Sequence, residues 1–189
     1  MSYKLDSKLG TEAEFKNMVQ QCSAAGVGII ADVVLNQTTG ATWPPETRRA
    51  WPAANTTAPP AATRFATKQY PDGITAADFH SCTKNISDYT NQKEVQECRL
   101  SSMWDFNSES EKVQDIQSDY LASLWNAGVR GFRMDAVKHI HTDSVKAIKE
   151  KFAKKIGKNA NDIYWIQEVI GNAPRPRASS RAITCRTAP

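Results

Sequence analysis

Three acids occupy matching places in this sequence. Asp32, Asp135 and Glu168 each stand toward the C-terminal end of a short apolar run: VGIIADVVL, VRGFRMDAV and IYWIQEVI. One acid in such a run could be half of a structural ion pair, but three at equivalent positions imply a shared task. Converging carboxylates suit glycoside hydrolysis, which takes one carboxylate as nucleophile and a second carboxyl as acid and base. They also suit a metal site for phosphoryl or sugar-isomerase chemistry. The neighbouring residues favour the first. Arg133 precedes Asp135 by two residues, so both side chains face one side of a strand. An adjacent guanidinium keeps a carboxylate ionised, as a nucleophile must be. Glu168 has Trp165, Ile166, Val169 and Ile170 around it in sequence. Apolar surroundings raise a carboxyl pKa, which a proton donor at neutral pH requires.

The elements that must position these groups are legible from periodicity. TEAEFKNMVQQCSAAG opens on a capping box of Thr11 and Glu14, runs an apolar stripe through Phe15, Met18, Val19, Cys22 and Ala25, and stops at Gly26. A second helix is predicted from a Ser108/Glu111 box, with Val113, Ile116, Tyr120, Leu124 and Ala127 as its stripe and Gly128 as its end. The third carries Val145, Ile148, Phe152 and Ile156 on one face and ends at Gly157. An apolar run follows each helix. The runs are continuous enough to predict parallel strands covered on both faces. The repeated α-β order gives an α/β fold with a parallel sheet, and acids at the C-terminal strand ends match the active face of a (β/α)8 barrel.

Residues 37–107 interrupt this order. WPPETRRAWPAANTTAPPAATRF is rich in Pro, Thr and Ala, and the stretch is too long for a βα loop, so it predicts an inserted small domain or a disordered excursion. The expected division is therefore 1–36 as barrel, 37–107 as insertion, 108–171 as barrel, and 172–189 as a disordered or aberrant tail.

The 189 residues are 40% hydrophobic and 23% charged, as in a soluble globular protein. The net charge of +4 comes from a tail holding Arg175, Arg177, Arg181 and Arg186 beyond the last acid, Glu168, so no basic patch argues for nucleic acid. No apolar run approaches the ~18 residues of a membrane span, and the N-terminus has no signal-like apolar stretch. Cys22, Cys82, Cys98 and Cys185 lack C-x-x-C spacing, which argues against zinc or a redox dithiol. Cys82 and Cys98 flank a polar loop; on spacing alone, a disulfide and two free thiols are equally open.

DVVLNQ, GFRMDAVKH and QEVI resemble the first three signature segments of the α-amylase family of glycoside hydrolases. ISDYTNQKEVQECRL resembles the secreted animal and actinobacterial members. The similarity runs from about Tyr3 to Ile170 and is poor over Ala41 to Thr63. It implies a partial (β/α)8 barrel, about strands 3 to 5, with an inserted calcium-binding small domain. It further implies Asp135 as nucleophile, Glu168 as general acid/base and Arg133 as the nucleophile's partner, which in chloride-dependent relatives also helps to hold that anion. Asp32 and Gln37 fall where the family binds sugar, and Lys138 and His139 where it lines the leaving-group side. The family's calcium ligands map onto the side chains of Asn36 and Asp105 and the backbone carbonyls of Gln96 and His139, oxygen donors suited to that ion. Asn36 also opens an N-Q-T sequon, which burial at a metal would leave unused. The resemblance pairs Cys82 with Cys98, and matches Cys22 to a cysteine whose usual partner lies upstream.

The implied reaction is retaining endo-hydrolysis of α-1,4 bonds in starch, glycogen and malto-oligosaccharides by a secreted enzyme, monomeric when complete. A maltase or transglycosylase of the same superfamily is the nearest alternative. An inactive truncated product is another, because the fourth signature segment with its third catalytic Asp is absent and only three of eight barrel strands are present. Position 37 is His in the family pattern and Gln here.

Overall fold

The computed structural model describes residues 3–7, 9–38 and 73–171. The Pro/Thr/Ala-rich part of the insertion and the tail from residue 172 lie outside the described residues, as does Cys185. Helix α1 spans Glu12–Ala24, and the Thr11/Glu14 box closes it as predicted: the Glu14 N–H donates to Thr11 Oγ1, and the Thr11 N–H donates to Glu14 Oε2 at 2.7 Å. Strand β1, Ile30–Val33, follows. The chain then forms β2, Gln37–Thr38, helix α2, Gln92–Glu97, and β3, Trp104–Asp105. Three further elements follow: α3, Glu111–Asn126, β4, Gly131–Met134, and α4, Thr142–Lys155. The last strand is β5, Tyr164–Gln167.

The predicted parallel sheet forms, with β4 between β1 and β5. Its register aligns Asp32 with Arg133 and Arg133 with Ile166. The ladder continues one step past the strands, because the Asp135 N–H donates to Val33 O and the Glu168 N–H to Met134 O, each at 3.0 Å. That register brings acids from distant parts of the chain to one end of the sheet.

The expectation of two covered faces holds for one. Val33, Phe132, Met134 and Trp165 meet α3 and α4 in a core with Leu121, Leu124, Ile148 and Phe152. Phe132, Phe152 and Trp165 meet ring to ring, Phe152 edge-on to both others. On the other face Ile30, Tyr164 and Ile166 stay exposed, beside Asp32 and the half-buried Arg133. That second face is itself partly apolar, so the runs read as continuous although they alternate inward and outward. Gly131 lies in its layer, where a Cβ would come within 3.0 Å of Tyr164 and 3.3 Å of Ile30.

Helix α3 starts later than predicted. Its N-cap is Ser110, without a side-chain cap bond, and no Ser108/Glu111 box forms. Ser108 O instead accepts from the Gln114 side chain at 2.9 Å, one turn inside the helix. The helix ends at Gly128, whose φ of +106° only glycine adopts readily and whose open α-carbon admits Val19 of α1; a Cβ there would lie 2.7 Å from Val19 Cγ1.

Residues 82–100 have a small core of their own, Ile86, Val95 and Cys98 against Cys82 and Leu100. Cys82 and Cys98 are joined, as the resemblance implied, closing a loop across 16 residues. A loop of that size is worth about 3 kcal/mol of unfolded-state entropy. Beside it the Glu94 carboxylate accepts from the Ser87 N–H at 2.5 Å, the Ser87 hydroxyl at 2.7 Å and the Asp88 N–H at 3.2 Å. These bonds hold its pKa at about 2, below the usual 4.5. A depressed carboxyl pKa contributes stability above the unfolded value, lost as pH falls through the folded one. Urea midpoints measured from pH 5 to pH 2 are therefore expected to fall in the wild type and to fall less steeply in Glu94→Gln. Identical slopes would remove Glu94 as the cause.

Candidate active site and ion site

Arg133 organises the strand-end cluster. Its Nη1 donates to both Asp32 oxygens at 2.7 Å and to Asp135 Oδ1 at 3.2 Å, while Nη2 lies 2.8 Å from Glu168 Oε1. One guanidinium thus bridges the three acids singled out from sequence, as its planar fork of donors permits. Ala136 follows in the left-handed region, φ 46° and ψ 38°, which turns its N–H onto Glu168 Oε2 at 3.0 Å. Asp135 and Glu168 lie close enough to influence each other's protonation.

The directions of the two pKa shifts reverse the expectation. Asp135 is raised, first by burial and then by its contact with Glu168. Glu168 is lowered, first by the Ala136 N–H and also by Arg133. The apolar pocket expected around Glu168 is absent: Val169 and Ile170 are 60% and 64% exposed, and Trp165 faces the helical core.

The residues expected further along divide between two places. Lys138 Nζ donates to Ile170 O at 2.7 Å and lies over the Tyr89 ring. The His139 ring is buried away from the cluster; its Nδ1–H donates to Val95 O at 2.8 Å, and burial lowers its pKa. Gln37 pairs with Asp105 across β2 and β3 and is buried, with neither side-chain polar atom bonded.

A second group of oxygens gathers where the chain leaves β1. Leu35 O accepts from the Gln117 side chain at 2.9 Å and the Tyr3 hydroxyl at 3.0 Å, and Asn36 O accepts from the Phe106 N–H at 3.1 Å. These bonds seat Asn36 in full burial, so its sequon cannot carry a glycan in this fold. Asn36 Nδ2 donates to Asp105 Oδ1 at 2.5 Å and to the His139 carbonyl at 3.0 Å, while Asn36 Oδ1 has no partner. Burial pushes the Asp105 carboxyl up to about 6, offset in part by His80 and Asn36. Gln96 is buried in the last turn of α2, where carbonyls have no onward helical partner, and its Nε2 donates to Ile140 O at 3.3 Å. The buried Asp105 carboxylate and the His139 carbonyl fit a hard cation such as calcium. Turning the Asn36 amide over would add its oxygen to the set.

A model of the α-amylase catalytic domain matches residues 2–180. The chain belongs to the α-amylase family. Within this family, an α-amylase from Thermomonospora curvata is 34% identical over 180 residues, covering 92% of this chain and 27% of the relative. An α-amylase from Dermatophagoides pteronyssinus is 38% identical over 156 residues, 78% of this chain and 29% of the relative. The crystal structure of α-amylase I from Eisenia fetida superposes with a TM-score of 0.70 at 31% identity, covering 89% of this chain and 34% of that one. A glutamate-to-glutamine mutant of that Eisenia enzyme, solved with maltohexaose, superposes at 0.69 with 28% identity, over 92% of this chain and 35% of that one. The chain thus spans about a third or less of the proteins it matches. The family is commonly calcium-binding, in keeping with the Asn36 and Asp105 oxygens.

Sequence reasoning missed His80, which donates from Nδ1 to Asp105 Oδ2 at 2.6 Å and sits beside Glu109. No spacing signal connects His80 with residues 25 and 29 positions away, so only the fold could reveal the contact.

Proposed function

We propose that this sequence supplies the nucleophile, the acid/base and the calcium ligands of an α-amylase that cleaves internal α-1,4 bonds of starch, glycogen and malto-oligosaccharides with retention. The observation that carries this reading is the bridging of Asp32, Asp135 and Glu168 by Arg133 at the C-terminal ends of adjacent parallel strands. Asp135 is the nucleophile, Glu168 the acid/base, and Asp32 binds sugar hydroxyls; Gln37, placed at the sugar by the resemblance, is buried with both amide atoms shielded. Lys138 lines the leaving-group side, and His139 stiffens that wall from behind through its buried ring.

Asp135 and Glu168 lie on the same Arg133 guanidinium, at 3.2 Å and 2.8 Å, which supports a close-set pair. An inverting pair stands roughly 6.5–9.5 Å apart, a retaining pair about 5–5.5 Å. Asp135, beside the Arg133 guanidinium, attacks the anomeric carbon as carboxylate while the glycosidic bond breaks and Glu168 gives its proton to the departing oxygen; water then cleaves the glycosyl–Asp135 bond, losing its proton to Glu168. Calcium, when bound, would be held by Asn36, Asp105, and the carbonyls of Gln96 and His139. There it would tie the insertion to the end of β1 by charge, without entering the reaction. A secreted, monomeric protein follows from the same reading, and the disulfide suits an oxidising compartment.

The test is the anomeric form of the first product released from maltoheptaose by a complete catalytic domain containing this sequence, followed by proton NMR. The α-anomer is expected first. A β-anomer would overturn the retaining assignment, and transfer products without net hydrolysis would favour the transglycosylase alternative.

A further inference from the structure

Outside both sites, three metal-binding side chains meet that the glucan chemistry does not use. His80 follows a short 3-10 turn, Ala76–Asp78, Glu109 precedes α3, and His141 is the N-cap of α4. His80 Nε2 lies 3.2 Å from Glu109 Oε2, His141 Nε2 lies 2.9 Å from Glu109 Oε1, and one donor atom from each residue falls within 4.8 Å of the others.

We infer that His80, Glu109 and His141 form a binding site for zinc or a similar borderline divalent ion. Two imidazoles and one carboxylate are a zinc-type donor set that leaves a fourth position open. Tetrahedral ligands at zinc–nitrogen distances of about 2.0–2.1 Å stand roughly 3.4 Å apart. Glu109 Oε1 already stands 3.4 Å from His80 Nε2 and 2.9 Å from His141 Nε2, near that value, and the three donor atoms all lie within 4.8 Å of one another. Three further observations separate the group from an ordinary surface ion pair. His80 Nδ1 donates to Asp105 Oδ2 at 2.6 Å, which leaves Nε2 as the ligand atom and orients its ring as outer-shell carboxylates do for metal-binding histidines. His141 Nε2 is buried, faces Glu109 Oε1 at 2.9 Å and makes no aligned hydrogen bond. Glu109 and His141 keep 42% and 30% of their side chains exposed, which gives the ion a way in.

The site differs in chemistry from the neighbouring oxygen set, which lacks nitrogen donors and suits calcium. Asp105 touches both, through Oδ1 to Asn36 and Oδ2 to His80. Occupancy of the histidine site should therefore stiffen the support behind the oxygen set.

The experiment titrates the 189-residue chain with cobalt, then competes it with zinc, in buffer holding excess calcium. The wild type is expected to bind one cobalt with visible d–d absorption that zinc abolishes, and zinc is expected to raise Tm. His141→Asn, which keeps a favoured N-cap residue, and Glu109→Gln should each weaken cobalt and zinc binding by about tenfold or more. Metal-free Tm measurements on both variants check that they fold. Unchanged affinity in both folded variants would overturn the site. So would a thiolate charge-transfer band, which would place the ion on a cysteine such as Cys22. Failure of starch hydrolysis would leave this assignment standing, since neither readout uses glucan.

Discussion

Glu168→Gln in a complete catalytic domain is expected to lower kcat on starch by about 10²–10⁴-fold, the usual worth of general acid–base catalysis. The amide keeps the shape of the carboxyl, and its oxygen can still accept from the Ala136 N–H that Glu168 Oε2 now holds. What it loses is the proton for the departing sugar. Because Glu168 also touches Arg133 and Asp135, the substitution has a second signature. Asp135 is raised in part by its contact with Glu168, and removing that charge lets Arg133 act unopposed. The Asp135 pKa should fall, and sugar binding should persist while turnover is lost. Calorimetry with maltohexaose, beside starch hydrolysis at matched enzyme concentration, checks both. Activity near wild type in Glu168→Gln would remove Glu168 as the acid/base and leave the strand-end acids without an assigned proton donor.

The placement of that cluster was largely legible in the sequence. The capping box at Thr11, the glycine stops and the apolar runs were local signals, and local signals determine which end of each strand an acid occupies. Partner choice depends on register between strands that are distant in sequence. Arg133 was expected to serve Asp135, two residues away, yet its shortest contacts go to Asp32, 101 residues away, and to Glu168 on the next strand. The expected direction of the Glu168 shift failed for the same reason. Sequence neighbours such as Val169 and Ile170 do not surround the Glu168 carboxyl, whereas the left-handed turn at Ala136 puts a backbone N–H on it. The misplaced start of α3 is a smaller case, since Ser108 and Ser110 both satisfy a cap preference and only the backbone path through Asn107 decides between them. The histidine cluster was beyond reach, because each member comes from a different segment with no shared spacing.

Arg133→Leu separates catalysis from stability most sharply. The guanidinium contacts three carboxylates, but all four side chains are partly open to solvent, from 27% exposed at Glu168 to 59% at Asp32. Ion pairs this exposed are worth about 1 kcal/mol or less each, and removing the shared cation also leaves three acids to repel in water-screened surroundings. Tm should therefore fall by only a few degrees. Activity should fall by about 10²–10³-fold, the range for losing one preorganised charge at a reacting centre. The pH profile supplies the independent sign. Arg133 lowers Glu168 and counters the rise at Asp135, so without it both carboxyls hold protons to higher pH. The state with Asp135 ionised and Glu168 protonated then appears only at higher pH, and the acid limb of kcat/KM must move upward. Arg133→Lys, a cation without the planar fork, can hold one carboxylate at a time and should recover part of the rate and part of the shift. A large loss of activity with an unmoved acid limb would mean that Arg133 shapes the strand end without setting its charge.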